Sequence, residues 1–280
     1  VLFAAIAVFL ILSGCDDKPP DAFVQFGSLE EDHAFGLAID HTGNCFVTGR
    51  TYGGLDIFVN AGDSDAYLIK VSPEMQVLST QQWGTEGGES GGSVAVDLEN
   101  NVYLTETTWD AINLYKLDNE GSEIWKHSWV LEGINDLDAV MVDPFGSVIV
   151  GGYSESDVDG VPNNGQRDIL VSKFSPDGTR LWTNLYGTEW IEDEASFAVD
   201  ETGSIYIAQN YSSVDSPNHI LLTKLDPEGA VLWSKDWGES SASVGGVATD
   251  LVGNVYVTGC TFGSMDGQVH QGGSDIYVTK

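Results

Sequence analysis

Short runs of alternating apolar and polar residues, separated by turn-forming residues, make up most of this chain. The run Val255-Tyr256-Val257-Thr258 is typical, because it is rich in β-branched and aromatic residues. Such residues, in runs of this length, favour a strand over a helix. No stretch keeps the sustained 3.6-residue period of an amphipathic helix. The pattern therefore predicts an all-β protein.

The apolar runs recur in a fixed order of four, which we label strands a, b, c and d. In the last repeat, strands a, b and c are predicted at 245–250, 254–259 and 275–280, and strand d is clearest one repeat earlier at 230–238. The repeats are spaced 46 to 57 residues apart, which suits one four-stranded antiparallel β-propeller blade each. Strand a ends at Asp40, Asp97, Asp143, Asp200 and Asp250, and strand c ends at Lys70, Lys116, Lys173, Lys224 and Lys280.

The turns between strands a and b share one chemical pattern. Each begins with aspartate and has glycine or asparagine at its fourth position, as in Asp40-His41-Thr42-Gly43. Aspartate accepts local backbone hydrogen bonds, and glycine or asparagine tolerates a left-handed conformation, so the pattern predicts type I turns with a bulge. The five recurrent aspartates are interpreted as turn formers rather than catalytic acids.

Two segments of the last repeat carry a family resemblance. Residues 253–259, Gly-Asn-Val-Tyr-Val-Thr-Gly, and 273–280, Gly-Ser-Asp-Ile-Tyr-Val-Thr-Lys, resemble the bacterial SBBP β-propeller repeat. The resemblance covers residues 22–280 and implies an exported propeller with no single activity. Ala111 and His219 depart from it, since strand c otherwise begins with aspartate. Residues 226–233 are more weakly similar to quinoprotein-type repeats. This second resemblance implies that the protein could act as a scaffold for assembly in the cell envelope.

The two ends of the repeat array suggest how it closes. Residues 21–27 match the end of a strand d, whereas the last repeat stops at strand c. The first strand could therefore complete the last blade and close a five-bladed ring without an exposed edge. The alternative is a fragment of a larger propeller whose further blades follow. We expect five blades.

The first residues resemble a bacterial lipoprotein signal. Residues 1–12 are an unbroken apolar run, followed by Leu12-Ser13-Gly14-Cys15. This run is shorter than the roughly 20 residues that span a bilayer. The resemblance implies a signal peptide at 1–14 without its charged start, lipidation of Cys15, and a polar tether at 15–21. The protein would then lie in the bacterial cell envelope, on the periplasmic or the surface side, and touch the membrane only through its lipid.

The charge balance restricts the partners. The chain has 43 acidic and 11 basic Lys and Arg residues, a net charge of −32. Nucleic acid requires a basic footprint, so it is excluded as a partner. Five of the basic residues are the lysines that end strand c, and we expect each to pair with a turn aspartate, at a small gain in stability each.

The loops between strands b and c, and between d and a, share one face of the blades, which we call the loop face. The b-to-c loops at 50–63, 153–167, 211–218 and 261–274 are long and unlike one another. Variable loops on a rigid scaffold commonly carry binding. An acidic rim on this face is the candidate binding site, with Asp32, Glu89, Asp136 and Asp193 as its members.

One loop has the alternating acids of a calcium site. Glu155, Asp157 and Asp159 precede Gly160, and alternate oxygens on a tight loop suit Ca²⁺. However, the twelfth position of an EF-hand count is Gln166 instead of glutamate, and no helix pattern flanks the loop. Calcium binding is therefore one hypothesis, and a plain acidic loop is the other.

The sequence contains no convincing catalytic motif. Residues 88–92 match Gly-x-Ser-x-Gly, but they precede a strand instead of joining a strand to a helix. The leading hypothesis is a monomeric, lipid-anchored, non-enzymatic propeller that binds an envelope protein or glycan through its loop face. The alternative is a glycosidase-like enzyme with unequal carboxylates around the central channel.

Overall fold

The computed structural model describes residues 23–130, 134–189, 191–213, 216–237 and 241–280, excluding the side chains of 130, 134–135, 193–194, 213 and 216–218. Within these residues the regular elements are nineteen β-strands, which confirms the all-β prediction. The chain divides into two compact units, one ending at Ser128 and the other running from Trp129 to Lys280.

The strands form five antiparallel sheets, each built from strands consecutive in the chain. Sheet 1 contains β1 (Asp32–Ile39), β2 (Cys45–Thr51), β3 (Asp65–Val71) and β4 (Val77–Trp83). Sheet 2 contains β5 (Ser90–Val96), β6 (Val102–Thr107), β7 (Ala111–Leu117) and β8 (Glu123–Val130). Sheet 3 contains β9 (Ile134–Val142), β10 (Val148–Ser154), β11 (Asp168–Phe174) and β12 (Arg180–Tyr186). Sheet 4 contains β13 (Ile191–Val199), β14 (Ile205–Ser213), β15 (Ser216–Leu225) and β16 (Val231–Trp237). Sheet 5 contains β17 (Ala242–Thr249), β18 (Val255–Thr261) and β19 (Asp275–Thr279).

The repeat unit is therefore an antiparallel sheet in the order a-b-c-d, as predicted. Strands b and c of the last repeat are found within two residues of the expected bounds, and strand a begins three residues earlier. A closed ring of five blades stays a prediction.

The aspartate turns form as the sequence predicts. Asp40 Oδ1 accepts hydrogen bonds from the backbone N–H groups of Thr42 and Asn44, both at 2.9 Å. The fourth turn residue adopts a positive φ, +87° at Gly43 and +65° at Asn100. The same arrangement recurs at Asp97, Asp143, Asp200 and Asp250. These aspartates are turn formers.

Three of the five repeat lysines pair with a turn aspartate. The Nζ-to-carboxylate distances are 3.8 Å for Lys116–Asp97, 2.9 Å for Lys173–Asp143 and 3.5 Å for Lys224–Asp200. The prediction is wrong for Lys70, which donates to the carbonyl oxygen of Asn119 at 3.0 Å. Lys280 lies over the ring of Tyr256.

Acid should weaken the fold through these turns. Burial alone would raise the pKa of Asp40, but hydrogen bonds from Asn44 and Thr42 outweigh it and lower the pKa to about 2. Hydrogen bonds led by that of Asn254 lower the pKa of Asp250 to about 2. An unfolded aspartate titrates near about 3.9, so this stabilisation is present above about pH 4 and lost as the pH falls through about 2.

Asp40→Asn and Asp250→Asn should therefore flatten the pH dependence of stability in that window. The check is the urea midpoint measured at intervals from pH 5 to pH 2. A double variant whose midpoint falls as steeply as that of the wild type would contradict the assignment.

Apolar clusters lie between consecutive sheets within each unit. Leu68 of sheet 1 packs with Val94 and Leu104 of sheet 2. In the second unit, Ile169 packs with Ile207, and Leu222 packs with Val244. The d-strand aromatics Trp182 and Trp237 pack against these clusters, as expected of blade packing.

The segment ahead of β1 packs as the sequence match to a strand d suggests. Val24 and Phe26 lie against a buried cluster of sheet 1 that includes Tyr67 and Ile69. Cys45 and Cys260 are both free thiols.

Candidate functional site

The four acids expected on the loop face differ in their environments. Glu89 is only 3% exposed. Asp32 is half-buried and accepts a 2.7 Å hydrogen bond from the backbone N–H of Ser28. Asp136 is half-buried in β9 and accepts from the backbone N–H of Leu137. Asp193 pairs with Asn210 through the backbone, but its side chain lies outside the described part of the chain. A binding role for the four stays a prediction, and Glu89 is buried in this fold.

The d-to-a loops explain why these acids are held inward. Thr85 donates to Glu89 from its backbone N–H at 2.8 Å and from its hydroxyl at 2.6 Å. Thr188 makes the same two bonds to Glu192, at 2.9 and 2.6 Å. Ser28 and Asp32 repeat the pattern. An acid four residues after serine or threonine therefore closes each of these loops, by the local hydrogen bonding that such side chains favour.

A second set of acids holds the b-to-c loops. Asp65, Asp168 and Asp275 begin strand c, and each accepts from the backbone N–H four residues earlier. Asp65 and Asp168 are 1% and 0% exposed. Since burying a carboxylate is costly without hydrogen bonds, these bonds are what allow the acids inside.

The two sets of acids meet in pairs beside a glycine. A Cβ on Gly84 would lie 2.1 Å from Asp65 Oδ1 and 2.9 Å from Glu89 Oε2. A Cβ on Gly187 would lie equally close to Asp168 Oδ1 and Glu192 Oε2. A larger residue at Gly84 or Gly187 would have to displace these buried carboxylates. The carboxylates therefore favour glycine directly after strand d.

Glu106 is a buried acid that the sequence reasoning did not single out. It lies at the end of β6, is 2% exposed, and accepts hydrogen bonds from three side chains. The donors are Trp83 Nε1 at 2.6 Å, Asn113 Nδ2 at 2.6 Å and the Tyr115 hydroxyl at 2.9 Å. Because Trp83 belongs to sheet 1 and the others to sheet 2, Glu106 joins the two sheets. The available signal was its position in the repeat, because the equivalent residues of β2 and β18 are Gly49 and Gly259.

Three loops of the first unit come together on its loop face. The backbone N–H of Asp63 donates to the carbonyl of Gly87 at 3.0 Å, and that of Glu89 donates to the carbonyl of Ser64 at 2.8 Å. A Cβ on Gly87 would lie 3.5 Å from Cβ of Trp109. We call the surface formed by residues 52–64, 84–89 and 108–110 the Trp109 surface.

The Trp109 surface exposes large apolar side chains. Trp109 is 82% exposed, and Ile57 and Val59 are each 84% exposed. Asp56, Asp63, Glu86 and Asp110 are exposed on the same loops. The variable loops predicted binding on this face, but only acidic residues were expected to take part. A tryptophan in a three-residue polar connection, Thr108-Trp109-Asp110, was the signal that could have identified it.

In the loop proposed to bind calcium, the three carboxylates each contact a different partner. Glu155 pairs with Arg167 at 2.8 Å, and Asp159 pairs with Arg180. Asp157 accepts from the backbone N–H of Asn163 at 3.0 Å. No group of three or more His, Cys, Asp or Glu side chains that could hold a metal ion occurs among the described residues. The geometry of this loop does not support the calcium hypothesis.

The N-terminal expectations fall on residues that are not described. Cys15, the signal peptide at 1–14 and the tether at 15–21 all lie outside the described residues. In the part of the chain that is described, no helix has the length and apolar character needed to cross a membrane.

Comparisons with known proteins end at the level of the fold. No family model matches the sequence, and no curated protein matches it. A subtype N10 neuraminidase-like protein from a Guatemalan little yellow-shouldered bat isolate is 11% identical, with a TM-score of 0.45, over 88% of this chain and 93% of that one. The Dos1 propeller is 9% identical, with a TM-score of 0.47, over 84% and 68%. Regucalcin of Agrobacterium tumefaciens, a calcium-binding protein, is 11% identical, with a TM-score of 0.41, over 89% and 77%. These similarities do not extend to activity or ligands.

Proposed function

We propose that this protein is a non-enzymatic binding module that engages a protein or glycan partner through the Trp109 surface. The observation that carries the proposal is the 82% exposure of Trp109 next to two loops, 52–64 and 84–89, whose backbones are hydrogen-bonded to each other. A large aromatic side chain held in water gains free energy when a partner covers it. Trp is also among the residues that dominate measured binding interfaces.

The surrounding charge defines the class of partner. Asp56, Asp63, Glu86 and Asp110 are exposed on the loops of the Trp109 surface, and the whole chain carries a net charge of −32. A partner with basic groups around an apolar contact, or a glycan that stacks a sugar face on the indole and donates hydroxyls to the carboxylates, fits this surface. The loops need little reordering, because the buried Glu89 and Asp65 already hold them.

We do not extend the proposal to glycoside hydrolysis. Two carboxylate pairs that approach each other, Asp65 with Glu89 and Asp168 with Glu192, are buried and bonded to their own loops. A glycosidase needs such a pair on either side of a bound sugar.

Trp109→Ala should weaken binding at least about tenfold, since central aromatic anchors contribute about 1.4 kcal/mol or more. The measurement is a glycan array together with pull-down from bacterial envelope extracts, followed by titration of the partner identified. Leu98→Ala is the matched control, because Leu98 is 70% exposed in the turn at the opposite end of the same sheet. Equal binding by wild type and Trp109→Ala would remove the basis of the proposal.

We further propose that the five sheets are propeller blades of the SBBP type. The packing of Val24 and Phe26 on sheet 1, in the manner of a strand d, supports the idea that this segment completes the three-stranded sheet 5. Five blades are then expected in the native protein. A native product much longer than 280 residues, detected by its intact mass, would argue for a larger propeller.

Anchoring at the bacterial envelope is part of the same proposal. It rests on Leu12-Ser13-Gly14-Cys15 after an apolar run. Mass spectrometry of the membrane-bound protein should find Cys15 as a lipidated first residue. A product with an unmodified Cys15 would contradict it.

A further inference from the structure

The pair Asp168 and Glu192 has an unusual hydrogen-bonding deficit. Both residues are 0% exposed. Asp168 Oδ1 and Glu192 Oε2 are buried and have no hydrogen-bond partner among the described residues. A Cβ on Gly187 would lie 2.1 Å from the first oxygen and 2.9 Å from the second, so both oxygens face the same point. Two unsatisfied acceptors therefore meet in a site closed to water.

Each of the remaining oxygens of the pair accepts at least one hydrogen bond. Both hydrogen bonds from Thr188 end on Glu192 Oε1. The backbone N–H of Asn164 donates to Asp168 Oδ2 at 2.8 Å. Since buried acceptors are nearly always satisfied, the two orphan oxygens require a donor that the described residues do not supply.

Sheet 1 shows how the same arrangement is satisfied elsewhere in the chain. There, the oxygens that face the glycine both have donors: the backbone N–H of Ala61 lies 3.1 Å from Asp65 Oδ1, and that of Thr85 lies 2.8 Å from Glu89 Oε2. Gln82 Nε2 donates to the other oxygen of Asp65, Oδ2, at 2.8 Å. Gln82 pairs with Tyr67 across its sheet, as Leu185 pairs with Leu170 in sheet 3. Leu185 therefore stands where Gln82 gives Asp65 a side-chain donor, and it gives Asp168 none. In addition, Thr188 donates only to Glu192 Oε1, whereas the backbone N–H of Thr85 reaches Glu89 Oε2 in sheet 1.

The charges around the pair do not replace that donor. Arg167, directly before Asp168, is paired with Glu155 at 2.8 Å and lies over the ring of Tyr153. On sheet 4, Tyr211 is paired with Glu192 across the strands, and its hydroxyl lies 3.0 Å from His219 Nδ1 and 2.7 Å from Asp236 Oδ2. Glu189 is exposed on the loop itself. A calcium ion would require six to eight oxygen ligands, and this point offers two carboxylate oxygens.

We propose that Asp168 and Glu192 share one proton, bound between Asp168 Oδ1 and Glu192 Oε2, which latches the b-to-c loop of sheet 3 to the loop that leads into sheet 4. Two close carboxylates in a dry site cannot both be charged at moderate cost, so one of them keeps its proton. Glu192 holds its loop through Thr188, and Asp168 holds the other through Asn164. The shared proton connects the two carboxyl groups, and its loss leaves two negatively charged carboxylates that repel each other. This latch lies in the second unit and does not depend on binding at the Trp109 surface.

The direction of the pH dependence follows from burial. Burial raises the pKa of Asp168, and burial, with a further contribution from the charge of Asp168, raises the pKa of Glu192. A carboxyl whose folded pKa is raised stabilises the protein below its unfolded pKa, near about 4, and that stability is lost as the pH rises through the folded pKa. The shared proton is therefore bound in mild acid and is lost toward alkaline pH, where the link between the two loops is broken.

The experiment is infrared spectroscopy of the wild-type protein at neutral pH, with Glu192→Gln as the reference. A protonated carboxylic acid has a carbonyl stretch distinct from that of a carboxylate, and we expect one such band that Glu192→Gln removes. Gln is a close mimic of the proposed state, because its oxygen can accept both bonds from Thr188 while its amide donates to Asp168. The melting temperature of Glu192→Gln near pH 7 to 8 should exceed that of wild type by about 2–4 °C, and the difference should vanish toward about pH 4.

Leu185→Gln provides the matched test, since it restores the amide present in sheet 1. It should weaken the infrared band and flatten the melting-temperature profile between pH 5 and 8. The absence of any neutral-pH band removed by Glu192→Gln or Asp168→Asn would overturn the proposal. A wild-type melting temperature that falls in chelator, while that of Glu192→Gln does not, would overturn it in favour of a bound cation. If the variants fail to fold, ¹³C titration of wild-type carboxyl groups decides, because the proposal requires one that titrates well above its usual range.

Discussion

Replacing Glu106 with alanine should destabilise the protein by on the order of 3 kcal/mol or more, because it leaves several buried donors without an acceptor. Trp83 Nε1, Asn113 Nδ2 and the Tyr115 hydroxyl all donate to this one carboxylate. Glu106 is 2% exposed, so water cannot easily take its place. Urea unfolding should show a clear fall in the midpoint with little change in the slope.

Two controls separate the network from general effects of truncation. Glu99→Ala removes an exposed glutamate in a turn of the same sheet, and should change stability by less than about 0.5 kcal/mol. Tyr115→Phe removes one of the three donors and should cost less than Glu106→Ala. A Glu106→Ala protein as stable as Glu99→Ala would show that the donors find other partners.

Glu106 also connects stability with the proposed function. It stands three residues before Trp109, and its bond to Trp83 ties that strand to sheet 1. Loss of the network should therefore loosen the connection that carries Trp109. Binding at the Trp109 surface should weaken in Glu106→Ala even under conditions where the protein remains folded.

The turns and the strand order could be predicted from the sequence because their causes are local. An aspartate followed three residues later by glycine or asparagine determines its own turn through hydrogen bonds within five residues. The lysine pairs were less predictable. Lys70 binds Asn119, in a turn 49 residues away, and no local pattern places that turn beside it.

The loop-face acids show the limit of reasoning from charge. Glu89 was expected in solvent because glutamate usually is. Its environment depends on Thr85, four residues before it, and on Asp65 from the preceding loop. The first contact was readable as a Gly-Thr-x-x-x-Glu pattern repeated at Glu192. The second depends on how two loops approach each other, which the sequence does not state.

The glycine that closes the repeat motif has a cause that only the structure reveals. A Cβ on Gly49 would lie 1.9 Å from the carbonyl oxygen of His33, and 2.9 Å from the Tyr67 hydroxyl that donates to that same carbonyl. Gly259 has the equivalent contacts with Ser243 and Tyr277. In both sheets strand a carries a one-residue bulge next to this contact, which brings its carbonyl over the glycine.

Gly49→Ala should therefore cost on the order of 3 kcal/mol or more, since the atom it would strike is backbone and cannot rotate away. Thermal unfolding with the urea midpoint measures the loss. Gly246→Ala is the control, because the nearest atom to its added Cβ is 3.9 Å away, on a side chain of the neighbouring strand. It should stay within about 1 kcal/mol of wild type in either direction, as expected for glycine to alanine without strain. If Gly49→Ala lost no more stability than Gly246→Ala, the bulge in strand a would have to move to make room for the added Cβ. Contact with the His33 carbonyl would then not explain why the motif has glycine at this position.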